Sequence, residues 1–157
     1  RTEPPERQSP VGLFFKYSDD GGETWSAERF RVPIREIGLD REFGGTGGWS
    51  VCPPIEVGGG VLFSYTRYAP KNRGRGQGFV FRSDNLRTER DPGKIRWEML
   101  PLGDEGIRAG EVDSDMQEEH IIVPLANGDL FCIWRSTAGH ACQSYSRDGG
   151  RTWPARG

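Results

Sequence analysis

The sequence is poor in cysteine and histidine, nearly balanced in charge, and without a long apolar run. Cys52, Cys132 and Cys142 are an odd set with no C-x-x-C pair. That excludes a disulfide framework and the usual zinc spacing, and predicts buried free thiols that act as small hydrophobes. The two histidines, His120 and His140, read as packing or surface residues. Lys and Arg number 21 against 23 Asp and Glu, so the basic excess of a nucleic-acid binder is missing. No stretch reaches the roughly 18 apolar residues of a membrane-spanning helix. No metal-ligand set or cofactor motif stands in the chain, and neither is expected. The chain opens on Arg1 without a signal-peptide pattern. That start is expected to be a processed or truncated end, and no compartment is expected from it.

Glycine is what the chain has in plenty. Its 23 residues in 157 are about twice the usual share of roughly 7%. The apolar residues come in short runs between Gly, Pro and Asn clusters, which is the pattern of a turn-rich all-β chain.

An internal repeat organises those runs. Tyr17 to Trp25 reads YSDDGGETW and Tyr145 to Trp153 reads YSRDGGRTW. Both fit S-x-D-x-G-x-T-W, carried by Ser18, Asp20, Gly22, Thr24 and Trp25 and by Ser146, Asp148, Gly150, Thr152 and Trp153. A decayed copy begins at Ser83, with Asn85 for the Asp, an insertion, and Trp97 as its late Trp. The Asp accepts bonds from its own turn, the Gly supplies positive φ, and the Trp anchors the turn to apolar surface. The box is therefore a structural hairpin clasp. A calcium loop would need further carboxylates.

Strands are expected at 50–56, 61–67, 78–83 and 96–100, and again at 120–125, 130–135 and 141–146. Four short strands per repeat is the unit of a β-propeller blade. The expected organisation is the end of one blade over 1–33, a full blade over 49–100 and an incomplete blade over 119–157. That is about two and a half blades, whereas propellers close with about 4–8. The chain thus reads as a partial propeller whose missing blades would cover exposed strand faces. Strands 51–57 and 130–134 are apolar enough to be buried on both sides.

The short boxes occupy one end of each blade, and the long charged loops occupy the other. Loop 34–48 carries Asp40, and loop 69–77 carries Arg73 and Arg75 just after Arg67. Function usually sits on such loops. If Asn127-Gly128 is a two-residue turn, His120 faces Arg135 and Glu119 faces Ser136. The same construction brings Arg67 and Tyr68 near Ser50 and Trp49. A carboxylate and a guanidinium then emerge together beside a strongly apolar strand. They form either a structural ion pair or a carboxylate-binding Arg with an acidic helper.

The two boxes, with EEHIIVPLANGDLFCIWR from Glu118 to Arg135, resemble the sialidase (neuraminidase) superfamily of Asp-box, or BNR-repeat, propellers. The resemblance implies a six-bladed propeller and a retaining exo-glycosidase acting on terminal sialic acids of glycoconjugates. In that family three Arg hold the substrate carboxylate, a Tyr is the nucleophile, a Glu is its base and an Asp is the acid/base. By motif, Glu119 matches the Glu, with Glu118 competing for the role, and Arg135 matches one clamp Arg. Asp40 is the candidate acid, and Arg67, Arg73 and Arg75 are further candidate substrate-binding residues. Phe30-Arg31-Val32-Pro33 is similar to the motif of the first clamp Arg, but it follows a box instead of preceding one, so Arg31 reads as structural. The nucleophilic Tyr and the last clamp Arg belong to later blades. The expected partner is a sialylated or other acidic glycan, and the 157-residue chain alone is expected to be inactive. The alternatives are a non-catalytic glycan- or protein-binding propeller, or a hydrolase or lyase for another sugar on the same scaffold.

Overall fold

Runs of alternating side chains broken by Gly, Pro and Asn turns fold as antiparallel strands. The computed structural model describes residues 12–45, 47–69, 72–110 and 116–154, the side chains of 72–75 excepted. β1 (Leu13–Phe15) pairs with β2 (Phe30–Val32). A short helix follows, α1 (Gly38–Phe43). β3 (Gly47–Trp49) and β4 (Ile55–Val57) both pair with β5 (Gly60–Ala69), which pairs with β6 (Asn72–Ser83), and β6 pairs with β7 (Glu98–Leu100). The third sheet orders β10 (Cys142–Ser146), β9 (Leu130–Ser136) and β8 (Gln117–Pro124). Among the described residues the fold is all-β apart from α1 and one 3-10 turn at Pro92–Lys94.

The middle sheet is buried on both faces because successive side chains of β5 and β6 point opposite ways. Tyr65, Phe79 and Phe81 meet Val32 and Ile37 on one side, while Leu62 and Val80 meet Ile122, Leu130, Cys132 and Trp134 on the other. All three cysteines are free and buried.

Three expectations need correction. The expected strand 51–57 is broken. Trp49 faces Thr66 and Ile55 faces Leu62, so the outer strand holds two residues more than its partner across that interval. Pro53 and Pro54 sit in the break, and neither has an N–H for the ladder. β9 is not buried on both sides either. Its burial alternates, and Ile133 is exposed. Finally, the turn at Asn127 has three residues. The Leu125 N–H donates to the Asp129 carbonyl, the Gly128 N–H donates to the Leu125 carbonyl, and Gly128 has φ 89°. This is the three-residue hairpin with glycine in the left-handed position.

The boxes close as clasps. In both, the Ser hydroxyl accepts from the second Gly N–H at 2.8 Å and the Thr hydroxyl donates to the Asp at 2.6 Å. Trp153 packs against the core, but Trp25 is 60% exposed. The anchoring expected of Trp25 is therefore not seen: its ring stays largely in solvent. In the decayed copy Asn85 Oδ1 accepts the Arg96 N–H at 2.9 Å, and Trp97 packs edge-on to Phe15 and Phe63. Asn thus keeps the acceptor role across the insertion.

Candidate functional site

The site is built by a slip in register. Glu118 faces Arg135 and Ile121 faces Ile133, so β8 carries one residue more than β9 between those pairs. This β-bulge replaces the expected pairing of His120 with Arg135 and of Glu119 with Ser136. The three-residue turn and the bulge each shift the pairing by one position. Inside the bulge Glu119 has φ 62°, the one left-handed non-glycine residue among the described residues. Such a backbone costs about 1–2 kcal/mol, so its surroundings must hold it.

Thr66, on the neighbouring strand β5, holds it. Its Oγ1 accepts the N–H of Glu119 at 3.1 Å and that of His120 at 3.4 Å, and it lies 3.0 Å from His120 Nδ1. The other ring nitrogen, Nε2, is 3.0 Å from the Ile107 carbonyl. A carbonyl can only accept, so Nε2 carries the hydrogen and Nδ1 accepts from the Thr66 hydroxyl. The ring stacks on Trp134 at 5.1 Å. Burial pushes the His120 pKa down to about 3, against a smaller opposing effect of the Ile107 carbonyl. His120 is therefore a neutral packing residue, as the sequence suggested.

The bulge turns the Glu119 side chain outward. Its Oε1 accepts from Arg135 Nη1 at 3.2 Å, and Arg135 Nη2 approaches the Met116 sulfur at 3.3 Å. Glu119 is 40% and Arg135 53% exposed. They line a cleft of about 310 Å³ with Glu118, Met116, Trp49 and Tyr68. The Trp49 and Tyr68 rings lie 4.7 Å apart. Glu118 is buried, whereas Glu119 is open to the cleft. An exposed pair of this kind is worth about 0–1 kcal/mol, so an incoming carboxylate can displace it from Arg135.

Arg67 and Asp40 come together elsewhere. Both Asp40 oxygens accept from Arg67 Nη2, at 2.6 and 2.7 Å, and Arg67 Nη1 donates to the Arg35 carbonyl at 2.8 Å. Asp40 stands on α1, not in an open loop, and its Oδ2 also accepts the Ile37 N–H at 2.8 Å. Arg67 is 3% exposed. Breaking such a pair costs about 3–5 kcal/mol. The candidate acid and the candidate substrate-binding Arg67 therefore neutralise each other, and neither is open to a ligand. Arg73 and Arg75 belong to β6 rather than to a loop, and their side chains lie outside the described residues. Arg31 is exposed on β2.

Thr66 and Met116 gave no sequence signal. Trp49 and Tyr68 were brought near each other by hairpin counting, although the true register sets Trp49 against Thr66 and Gly47 against Tyr68.

No family model matches the chain, and no curated protein does. A solved structure of a protein of unknown function from Dyadobacter fermentans is similar to it, with 17% identity and a TM-score of 0.63 over 92% of this chain. This chain spans 37% of that one. At that identity the likeness concerns the fold alone.

Proposed function

We propose that this chain supplies part of the substrate cleft of a retaining exo-glycosidase of the sialidase type, acting on terminal sialic acid. In this reading the three sheets are consecutive blades of a propeller that is six-bladed when complete. One observation carries the proposal. Arg135 sits half-exposed in an open cleft, and among the described residues its guanidinium meets only weak, exchangeable partners, the Glu119 carboxylate at 3.2 Å and the Met116 sulfur at 3.3 Å. A guanidinium so placed suits a planar carboxylate, which it can bind through two parallel hydrogen bonds.

The chemistry follows from that exchange. A sugar carboxylate that takes Arg135 releases the Glu119 carboxylate into the cleft. The freed Glu119 carboxylate can then accept the proton of a tyrosine hydroxyl supplied elsewhere in the complete protein. Trp49 and Tyr68 give the cleft the aromatic wall common in small-molecule sites.

The test is an NMR titration of this chain with N-acetylneuraminate and with neutral N-acetylglucosamine. Arg135→Ala is expected to abolish the acid sugar's chemical-shift changes in the cleft. Equal response to both sugars, or no response in the unaltered chain, overturns the reading. In a complete protein, Glu119→Gln is expected to cut turnover of a fluorogenic sialoside about 100-fold or more, in the range of general-base loss.

A non-catalytic glycan-binding module is the second reading. The burial of Arg67 against Asp40 favours it, because it removes one candidate substrate-binding Arg and the candidate acid together. That reading expects glycan binding to survive Glu119→Gln and no sialoside turnover.

A further inference from the structure

We propose that Thr66 is the positioning residue of this cleft: its hydroxyl, oriented by His120, sets the left-handed backbone of Glu119 and thereby aims the Glu119 carboxylate at Arg135. The consequence for ligand binding rests on the function proposed above. The geometric claim stands without it.

The hydroxyl of Thr66 has one hydrogen and two lone pairs. All three are used. The hydrogen goes to His120 Nδ1, and the lone pairs take the N–H groups of Glu119 and His120. The direction of that hydrogen is not free. The Ile107 carbonyl fixes Nε2 as the protonated nitrogen, so Nδ1 can only accept. The ring cannot swing away, since it is 1% exposed and stacked on Trp134. Gly78 leaves no room for even one more carbon beside the ring.

At a bulge the strand loses ladder bonds. The N–H groups of Glu119 and His120 therefore need an acceptor from outside β9, and Thr66 brings one from β5. Without the hydroxyl, two backbone donors and a buried ring nitrogen would lack partners. Each unpartnered group then carries its full desolvation penalty, which exceeds what the exposed contact to Arg135 can return. The bulge would relax toward negative φ, and the carboxylate would swing off Arg135.

The experiment compares the full chain with Thr66→Val, which keeps the shape and removes the hydroxyl, and with Thr66→Ser, which restores it. Thr66→Val is expected to speed exchange of the Glu119 and His120 amides about tenfold, as for a lost hydrogen bond. It is also expected to shift the Glu119 carboxyl carbon signal, and Thr66→Ser is expected to return both to the parent values. Affinity for N-acetylneuraminate should fall about tenfold in Thr66→Val and recover in Thr66→Ser, matching the loss of alignment. If Thr66→Val does not fold, the unaltered chain decides. Its His120 ring nitrogens must report the Nε2–H tautomer, and its Glu119 amide must be protected. An Nδ1–H tautomer, an unprotected Glu119 amide, or a Thr66→Val chain with unchanged Glu119 signals overturns the proposal. If the unaltered chain does not bind N-acetylneuraminate, the glycosidase reading fails, and the amide and carboxyl signals alone judge Thr66.

Discussion

Arg67 grips both carboxylate oxygens of Asp40 while its second terminal nitrogen donates to the carbonyl of Arg35. The pair joins the middle sheet to α1 and the segment that leads into it. Burial disfavours the charged guanidinium of Arg67, and the adjacent Asp40 restores that charge. The two residues thus depend on each other. One terminal nitrogen holds the carboxylate and the other takes the carbonyl, a fixed two-target arrangement that the single ammonium of lysine cannot reproduce.

Removing either partner is expected to be costly. Asp40→Ala or Arg67→Ala should each lower unfolding stability by about 3–5 kcal/mol, because a buried charge loses its counter-charge. The double variant should lose much less than the sum of the two. Urea unfolding of the four chains measures the coupling. A single-variant cost within the range of a surface pair would contradict the burial argument.

The two intact boxes should differ in weight. Both hold their Asp the same way, but Trp153 meets the core and Trp25 meets solvent. Asp148→Ala is therefore expected to lower the urea midpoint more than Asp20→Ala. Burial works against the charge on Asp148, but bonds from Thr152, Ser146 and Arg151 outweigh it and bring its pKa to about 2. The Ser18 and Thr24 bonds hold Asp20 well below the ordinary carboxylate range. A depressed folded pKa gives stability that is present above the unfolded value of 3.8 and is lost as pH falls from there toward 2. A carbon-detected titration of the two carboxyls checks the window, and an ordinary midpoint at either site would refute it.

What the sequence made legible was local. Strand order, the boxes and the meeting of Glu118 or Glu119 with Arg135 follow from runs, turns and one hairpin. What it hid was set across distance. Asp40 lies 27 residues before the guanidinium that captures it, so both looked available. The bulge at Glu119 depends on a threonine 53 residues away, and nothing in the local string marks a left-handed glutamate. Counting from Asn127-Gly128 failed because a glycine in the left-handed position suits either a two- or a three-residue turn.

Gly78 is predicted to tolerate no side chain. A Cβ there would overlap the His120 ring, which is buried and stacked on Trp134. Gly78→Ala should destabilise the chain by about 1–3 kcal/mol, the usual range for overpacking. It should also perturb the Glu119 amide signal through the ring. Gly128→Ala, in open space at positive φ, should leave that signal unmoved. Thermal unfolding and amide spectra of both variants test this, and an unshifted Glu119 in Gly78→Ala would disconnect the ring from the bulge.

Acid should weaken the fold through His120 well before the carboxylates respond. The buried ring stays neutral down to about pH 3, because burial penalises the imidazolium. In the unfolded chain the same ring takes up a proton near its ordinary value of 6.5. Below that pH the unfolded state binds a proton that the native state refuses. The contribution is therefore complete above 6.5 and declines as pH falls toward 3. Deep in that window the slope approaches about 1.4 kcal/mol per pH unit. Urea midpoints between pH 7 and 4.5 should fall steadily, above the range in which Asp148 titrates. His120→Gln should start from lower stability, since the ring's partners change, but it should lose this slope. A flat profile in the unaltered chain, or the same slope in His120→Gln, would show that the ring is not the neutral centre of the Thr66 network.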